Sequence, residues 1–518
     1  MTARTVRPPA GREPVAATTA VRQPSVLAEL LPRVPLPVAL VAVVVVAGVA
    51  TATSPLRGLQ VAVVVGAVLW GLHRPAQLVL LAVAVVPVTA GLQRGLPFAG
   101  LRLSEVVVCA VAVVVLTATA ARRSRRFDLL DVTALGYVVV NVVAGGTAVV
   151  LHPQPVGGDA VGVLLGPVPY FLLYATVRSV VTDAATVRAA LRLLLLGAYP
   201  VCLVAVLQFF DVGPVRAAVV ALTGSPSAPL PGEGGVVRAT GVFSHWHELG
   251  GYLLMLVLLA LTLLLRPGQR VLPRRALLGV LALAGVSLLM TTTLVVIGGT
   301  VAGVLGVAHR HGVLRRAAGL LALAALAGGV VLGPNLVSRL GRQFGDRQPL
   351  YEIAQTSVPL LPQTISYRLQ VWTEQYLPEV LRSPLVGWGP QLPAAISWRY
   401  TESVYLTLLM RGGVLLLLAY AAFVVATWVV ARRTPVDAAP EQRAVATVVA
   451  TTAVLFAVMQ TINPYFTSVG YPHVLWALLG TLPAVPRFTD VLRPSVASTV
   501  TGTSVSTRTR RPAAQEAP

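Results

Sequence analysis

The sequence predicts an all-α protein, a polytopic transmembrane helical bundle of about 12–14 spans. Three observations predict this fold class. First, 56% of the 518 residues are apolar and 11% are charged, whereas soluble domains carry roughly 25% charged residues. Second, apolar runs of about 20 residues, long enough to cross a bilayer as helices, recur along the chain. Third, arginines concentrate in alternate loops between these runs, as the positive-inside rule requires.

The apolar runs set the predicted spans. These lie near 36–53, 58–72, 76–92, 103–121, 131–151, 160–179, 189–210, 248–265, 275–291, 292–308, 317–333, 413–431, 443–461 and 470–486. They divide the chain into a transmembrane bundle of spans 1–11 over 36–333, a long extracytoplasmic loop over 334–412, and the last three spans over 413–486. Residues 1–35 and 487–518 are polar and lack an apolar period, which predicts two disordered cytoplasmic tails.

The basic residues are all arginines, and the net charge of +21 raises the question of a nucleic-acid partner. Nucleic-acid binders gather such charge on one patch or tail. Here the arginines lie between the apolar runs. This distribution indicates that they set the orientation of membrane spans, and it predicts no nucleic-acid partner. The predicted cytoplasmic loops hold the arginines of 122–126, 178–192, 266–275, 310–316 and 432–443. We therefore expect a multi-pass protein of the inner (plasma) membrane with both termini in the cytoplasm.

The first long outer segment, 211–247, ends in a motif that begins at Arg238 and runs Arg-Ala-Thr-Gly-Val-Phe-Ser-His-Trp-His. A guanidinium followed by Thr-Gly at the start of a helix can bind an anion, with backbone N–H groups pointing the same way. The alternative is that Arg238 is an interfacial anchor. His245 and His247 lie two positions apart, about 200° around a helix and opposite on a strand, which argues against a shared metal ion.

The second long outer segment, 334–412, contains an amphipathic helix over Tyr367–Arg382, in which Arg368 and Trp372 share a face. After it come Glu402, with Tyr405 one turn further on, and then Arg411-Gly-Gly at the entry to the next span. Glu402 has two interpretations: a first-turn carboxylate that suits the helix dipole, or a general base at the water–membrane boundary.

Together these strings resemble the O-antigen ligase and polymerase family of membrane glycosyltransferases. Four motifs carry the resemblance, in family order over roughly residues 160–485. They are Arg238-x-Thr-Gly-x-Phe-Ser-His-x-His-x-Leu-Gly, Arg368 to Trp372 with Ser383-Pro-Leu-x-Gly387-x-Gly389, Ser403-x-Tyr405-Leu with Arg411-x-Gly413, and Trp476-x-Leu-Leu-Gly480. A ligase usually has His-Asn near position 402, where this chain has Glu-Ser, so ligase and polymerase both stay open.

The resemblance implies a bacterial enzyme of cell-envelope biogenesis with a GT-C-like membrane bundle. Such an enzyme transfers glycan from a polyprenyl-diphosphate-linked donor to an acceptor hydroxyl of a glycan, lipid or protein at the outer face, with inversion and without metal or cofactor. Arg238 and Arg368 would hold the diphosphate, and Glu402 would assist the acceptor hydroxyl.

The same resemblance makes further residues substrate-binding candidates: Arg411, His245, His247, Tyr405 and Trp372. It also implies that the chain works in the lipid bilayer with other polysaccharide-assembly membrane proteins as partners. The alternative function is a polytopic flippase or exporter of lipid-linked oligosaccharide or polysaccharide. The number of spans suits both functions, but a flippase should place ionisable residues within its spans, and few lie there.

Overall fold

The computed structural model describes residues 66–92, 102–120, 127–153, 158–225, 237–344 and 362–483. These residues are largely helical and contain no strand, which confirms the all-α polytopic bundle predicted from the sequence. The tails predicted over 1–35 and 487–518 lie outside the described residues. The first predicted span, 36–53, and most of the second also lie outside them.

The helices coincide closely with the predicted spans. In chain order they are α1 (Pro75–Thr89), α2 (Leu103–Ala120), α3 (Leu129–Leu151), α4 (Gly158–Leu165), α5 (Pro167–Val180), α6 (Ala184–Phe209), α7 (Val215–Thr223), α8 (Trp246–Leu265), α9 (Arg274–Met290), α10 (Leu294–Arg310), α11 (Leu314–Phe344), α12 (Gln363–Val371), α13 (Leu377–Arg382), α14 (Val404–Arg432), α15 (Pro440–Met459) and α16 (Tyr471–Thr481). Every predicted span from 76–92 onward overlaps one of these helices, and the span at 160–179 overlaps α4 and α5 together.

Six helical segments of the described chain are long and apolar enough to cross a membrane: α3, residues 160–180, α6, α8, α14 and α15. Three more apolar helices are shorter, namely α1, α10 and most of α2. Helix α16 has 11 residues, roughly 16 Å of helix, which is shorter than the hydrocarbon core of about 30 Å. The full number of spans therefore stays a prediction.

The chain forms two compact units. One comprises Met1–Val79 and Ala110–Arg125, and within it Val79 and Val115 are buried. The other comprises Leu80–Cys109 and Arg126–Pro518 and holds every candidate site residue discussed above.

Helix α8 lies at the centre of the larger unit. Its membrane-crossing stretch is 83% buried, and it packs against α9, α10 and α15. Around it α3 runs along α14, and α5 packs against α16. Because α8 contacts protein on most sides, its first turn is held in place. The motif that begins at Arg238 ends in this first turn.

The predicted amphipathic helix is present as α12 and α13, joined by a π-helical turn over Trp372–Tyr376 just before Pro378. One face is buried in an apolar cluster, formed by Tyr367, Val371, Tyr376, Val380, Ile396 and Met410. The opposite face leaves Leu381 70% exposed. The segment thus packs on the start of α14 with one face and keeps an apolar face for the membrane interface, as expected for an interfacial helix.

Helix α14 begins at Val404 and breaks at Gly412 and Gly413, which have non-helical backbone angles. Position 413, where the sequence predicted the span to begin, is therefore the point at which the helix restarts. The loop over 383–389 packs into this break, since the backbone N–H groups of Trp388 and Val414 donate to Met410 (2.6 Å) and Pro384 (2.8 Å) respectively. The break positions the segment 404–411, which carries Arg411.

Replacing Gly413 with alanine should destabilise the protein strongly. Gly413 has φ 63° and ψ −160°, a region that costs other residues about 1–3 kcal/mol, and a Cβ there would lie 2.2 Å from the Leu385 carbonyl carbon. We expect Gly413→Ala to lower the thermal midpoint of the purified protein in detergent by roughly 5 °C or more. Gly306→Ala is the matched control, because it lies in α10 with no atom within 4 Å of its added Cβ. Equal midpoints for the two variants would refute this role of the break.

Candidate functional site

A cavity of about 810 Å³ brings most of the predicted site residues together. It lies between the first turns of α8 and α10, helix α12, the loop before α14, the segment 404–411 and the loop before α16. Its polar lining among the described residues includes Arg238, His245, His247, Thr293, Arg368, Arg399, Tyr400, Thr401, Glu402, Thr407, Arg411, Asn463, Thr467 and Ser468. Four arginines therefore face one carboxylate, Glu402, so the lining carries a positive excess.

Arg238 is fixed by three contacts. Its Nε donates to the carbonyl oxygen of Thr291 (3.1 Å), and its Nη2 donates to the Thr293 hydroxyl (3.3 Å). The guanidinium carbon lies 3.5 Å from the centre of the Trp246 ring, a cation–π contact. Thr293, which sequence reasoning did not assign to the site, belongs to the tight turn between α9 and α10. In that turn the backbone of Thr292 is left-handed, with φ 48°.

The backbone N–H groups of the Thr-Gly pair after Arg238 are engaged within the bundle, so the expectation that they point toward an anion is wrong. The backbone N–H groups of Thr240 and Gly241 both donate to the side-chain oxygen of Gln208 (2.9 Å each). Gln208 lies in α6 and is 1% exposed, and it anchors the motif against the bundle. Within the Arg-x-Thr-Gly string, Arg238 is consequently the residue that lines the cavity.

The two histidines also differ from expectation, because their rings lie on the same side. His245 has an extended backbone as the N-cap of α8, and the helix begins only at Trp246. The His245 and His247 rings therefore stack with centroids 5.2 Å apart, and both line the cavity. Glu248 caps this helix start, because its carboxylate accepts from the backbone N–H groups of Ser244 and His245 (3.1 Å each).

Arg368 and Glu402 form an ion pair across the cavity wall. Arg368 lies in α12 and also donates from Nη1 to the Thr364 carbonyl (3.3 Å). Its Nε is buried without a hydrogen-bond partner among the described residues. Glu402 has φ 51°, a left-handed conformation that is uncommon outside glycine. The backbone at Glu402 is therefore held by its surroundings, a feature that clusters at functional sites.

Trp372 and Tyr405 do not line the cavity. The Trp372 indole N–H donates to the carbonyl oxygen of Thr401 (2.8 Å), the residue before Glu402. The Tyr405 hydroxyl donates to the Ala457 carbonyl of α15. Both residues thus support the loop that carries Glu402 and the helix that follows it.

Arg411 and Arg399 complete the positive lining. Arg411 ends the segment before the α14 break and lines both the large cavity and a smaller one beside it. Arg399 lies in the loop before Glu402 and is exposed. Arg399 is not among the site residues predicted from the sequence. Its position in the second outer segment, three residues before Glu402, is the sequence feature that points to it.

The positive charge also acts on Tyr465, in the loop before α16. Burial raises the pKa of this phenol, while the hydrogen bond from Asn463 (3.3 Å) and the nearby Arg368 and Arg238 oppose the rise. The positive charges of both arginines therefore act to lower the pKa of the same tyrosine. This places their charges in a common region of the cavity, although they lie 130 positions apart in the chain.

Comparison of the chain with protein-family models finds no match, and comparison with curated proteins finds none either. The resemblance to the O-antigen ligase and polymerase family therefore rests only on the motifs quoted from the sequence.

Proposed function

We propose that this chain is a membrane glycosyltransferase of the O-antigen ligase or polymerase type. It would transfer glycan from a polyprenyl-diphosphate-linked donor to an acceptor hydroxyl, with inversion and without a metal ion. One observation carries the proposal: a single cavity gathers Arg238, Arg368 and Arg411 with Glu402 from segments far apart in sequence. A diphosphate leaving group needs fixed positive charge, and guanidinium groups supply it in bidentate geometry.

The proposed reaction is an in-line displacement. The acceptor hydroxyl oxygen attacks the anomeric carbon, and the bond from that carbon to the diphosphate oxygen breaks. The leaving diphosphate takes the bonding electron pair, and Arg238 and Arg368 stabilise its charge. The hydroxyl proton passes to the Glu402 carboxylate, which acts as general base. His245, His247 and Arg411 would contact the glycan or the diphosphate, and Trp372 and Tyr405 would act through the backbone they hold.

In this proposal, the cavity faces the non-cytoplasmic side of the inner membrane. Helix α8 starts at the cavity with Trp246 and ends 20 residues later at Leu265, about 30 Å away. Beyond that end lies an arginine-rich region in which Arg266 donates to the Arg443 carbonyl (3.2 Å) and Arg188 lies 3.9 Å from Glu441. Arginines concentrate on the cytoplasmic side of membrane proteins. The proposal therefore has both termini in the cytoplasm, as the loop pattern predicts.

The proposal is tested by reconstituting the full chain into vesicles with a polyprenyl-diphosphate oligosaccharide as donor and acceptor. We expect release of polyprenyl diphosphate and formation of longer or transferred glycan, at the same rate with and without a divalent-metal chelator, because guanidinium groups carry the leaving-group charge. Loss of the reaction on chelation would refute the metal-independent mechanism. Transport of the donor with no bond formed would favour a flippase instead.

A further inference from the structure

A second, smaller cavity of about 70 Å³ adjoins the large one, and Arg411 and Thr467 line both. Its other lining residues belong to α2, α3, α4, α5 and α16 or to the loops beside them, which contribute Arg102, Gly166 and Phe466. A volume of this size holds about two water molecules at roughly 30 Å³ each. It is too small for a sugar ring or a diphosphate and matches a single carboxylate group.

The lining of this small cavity favours an anion. Arg102 and Arg411 contribute two guanidinium groups, and Glu105 contributes one carboxylate, which leaves an excess of one positive charge. The Glu105 carboxylate also accepts from the backbone N–H of Arg102 (2.8 Å), at the start of α2. The charge balance therefore suits a singly charged anion better than a cation or a doubly charged phosphate.

Trp476 supplies an independent observation. It lines the small cavity, is 1% exposed, and its indole N–H has no hydrogen-bond partner among the described residues. An indole N–H can only donate, and most buried polar groups in folded proteins have a partner. The missing partner is therefore an acceptor, and a carboxylate oxygen in the cavity would fulfil this role.

We propose that the small cavity binds a carboxylate borne by the glycan, such as that of a uronic acid, while the sugar ring occupies the large cavity. This inference rests on the proposed function, because it takes the large cavity as the glycan site. Arg102 and Arg411 hold the carboxylate charge, and the Trp476 N–H donates to one of its oxygens. The cavity then makes the enzyme selective for an acidic glycan over its neutral counterpart.

The test is a thermal-stability titration of the purified full chain with glucuronate, glucose, acetate and, separately, inorganic diphosphate. We expect glucuronate to stabilise the protein saturably and glucose to have no such effect. Trp476→Phe and Arg102→Gln should each raise the half-saturating glucuronate concentration about 10-fold, the usual effect of losing a hydrogen bond to a charged group. Trp428→Phe is the matched control, because Trp428 lies in α14 and does not line the cavity. It should bind glucuronate normally.

Each outcome is decisive. Acetate that binds as tightly as glucuronate would retain the carboxylate site but overturn its assignment to the glycan. Glucuronate that binds no better than glucose, or equally well to Trp476→Phe and Arg102→Gln, would overturn the site. The diphosphate arm reports on the large cavity: diphosphate binding without glucuronate binding contradicts only this inference. Absence of diphosphate binding contradicts the proposed function.

Discussion

Arg238→Ala should reduce the initial rate of polyprenyl-diphosphate release by about 10²–10³-fold, the usual cost of removing a donor that stabilises charge developing in a transition state. The three contacts that fix Arg238 explain the size of this effect. Because the Thr291 carbonyl, the Thr293 hydroxyl and the Trp246 ring set its position, the guanidinium needs no rearrangement when the leaving group becomes negative.

Arg382→Ala provides the matched control for this prediction. Arg382 belongs to the same outer region but lies outside the cavity lining, and its side chain is 65% exposed in an ion pair with Glu379. Its loss should leave the rate within about twofold, because Arg382 does not line the cavity. Near-normal activity of a correctly folded Arg238→Ala protein would remove Arg238 from the mechanism. A loss as large in Arg382→Ala would show that the assay reports unfolding.

Glu402→Gln should change catalysis and donor binding in opposite directions. Removing the general base should lower the rate of transfer by about 10²–10⁴-fold. The same change removes the ion pair between Glu402 and Arg368, whose side chains are 24% and 16% exposed. Arg368 is then released for the diphosphate, and we expect the affinity for polyprenyl diphosphate to rise about two- to fivefold. A change of this size corresponds to the loss of an ion pair worth ~1 kcal/mol.

This pair of opposite effects separates catalysis from support of the helix end. A residue that only stabilised the start of α14 would, on substitution, lower stability and leave the affinity for diphosphate unchanged. Glu374→Gln is the control, since Glu374 lies in the π-helical turn, outside the cavity lining, and contacts Gln370 (3.3 Å). A rate loss below about threefold in Glu402→Gln would return Glu402 to a helix-end role.

The sequence predicted the helices well, because apolar runs and arginine spacing report directly on the membrane environment. The sequence also made Arg238, Arg368 and Glu402 the candidate catalytic residues. These three residues line one cavity. What the sequence could not predict depends on where a helix begins or breaks. The stacking of His245 on His247 follows from the start of α8 at Trp246.

Other features of the site depend on contacts between distant segments. The carbonyl of Thr291 reaches Arg238 across 53 positions, and Gln208 takes the N–H groups of Thr240 and Gly241 from another helix. No local sequence pattern predicts these hydrogen bonds between distant segments. The loop around Arg399 lacks helical or strand periodicity, so its closeness to Glu402 in the sequence did not by itself place Arg399 at the cavity.

The most direct test of the central claim counts three quantities in the same reconstituted vesicles: glycosidic bonds formed, polyprenyl diphosphate released, and donor that crosses the bilayer. A transferase that works at this cavity releases one polyprenyl diphosphate for each bond formed, moves no donor across the membrane, and loses bond formation and release together in Arg238→Ala. Donor that crosses the bilayer while no bond forms and no polyprenyl diphosphate appears would contradict the account.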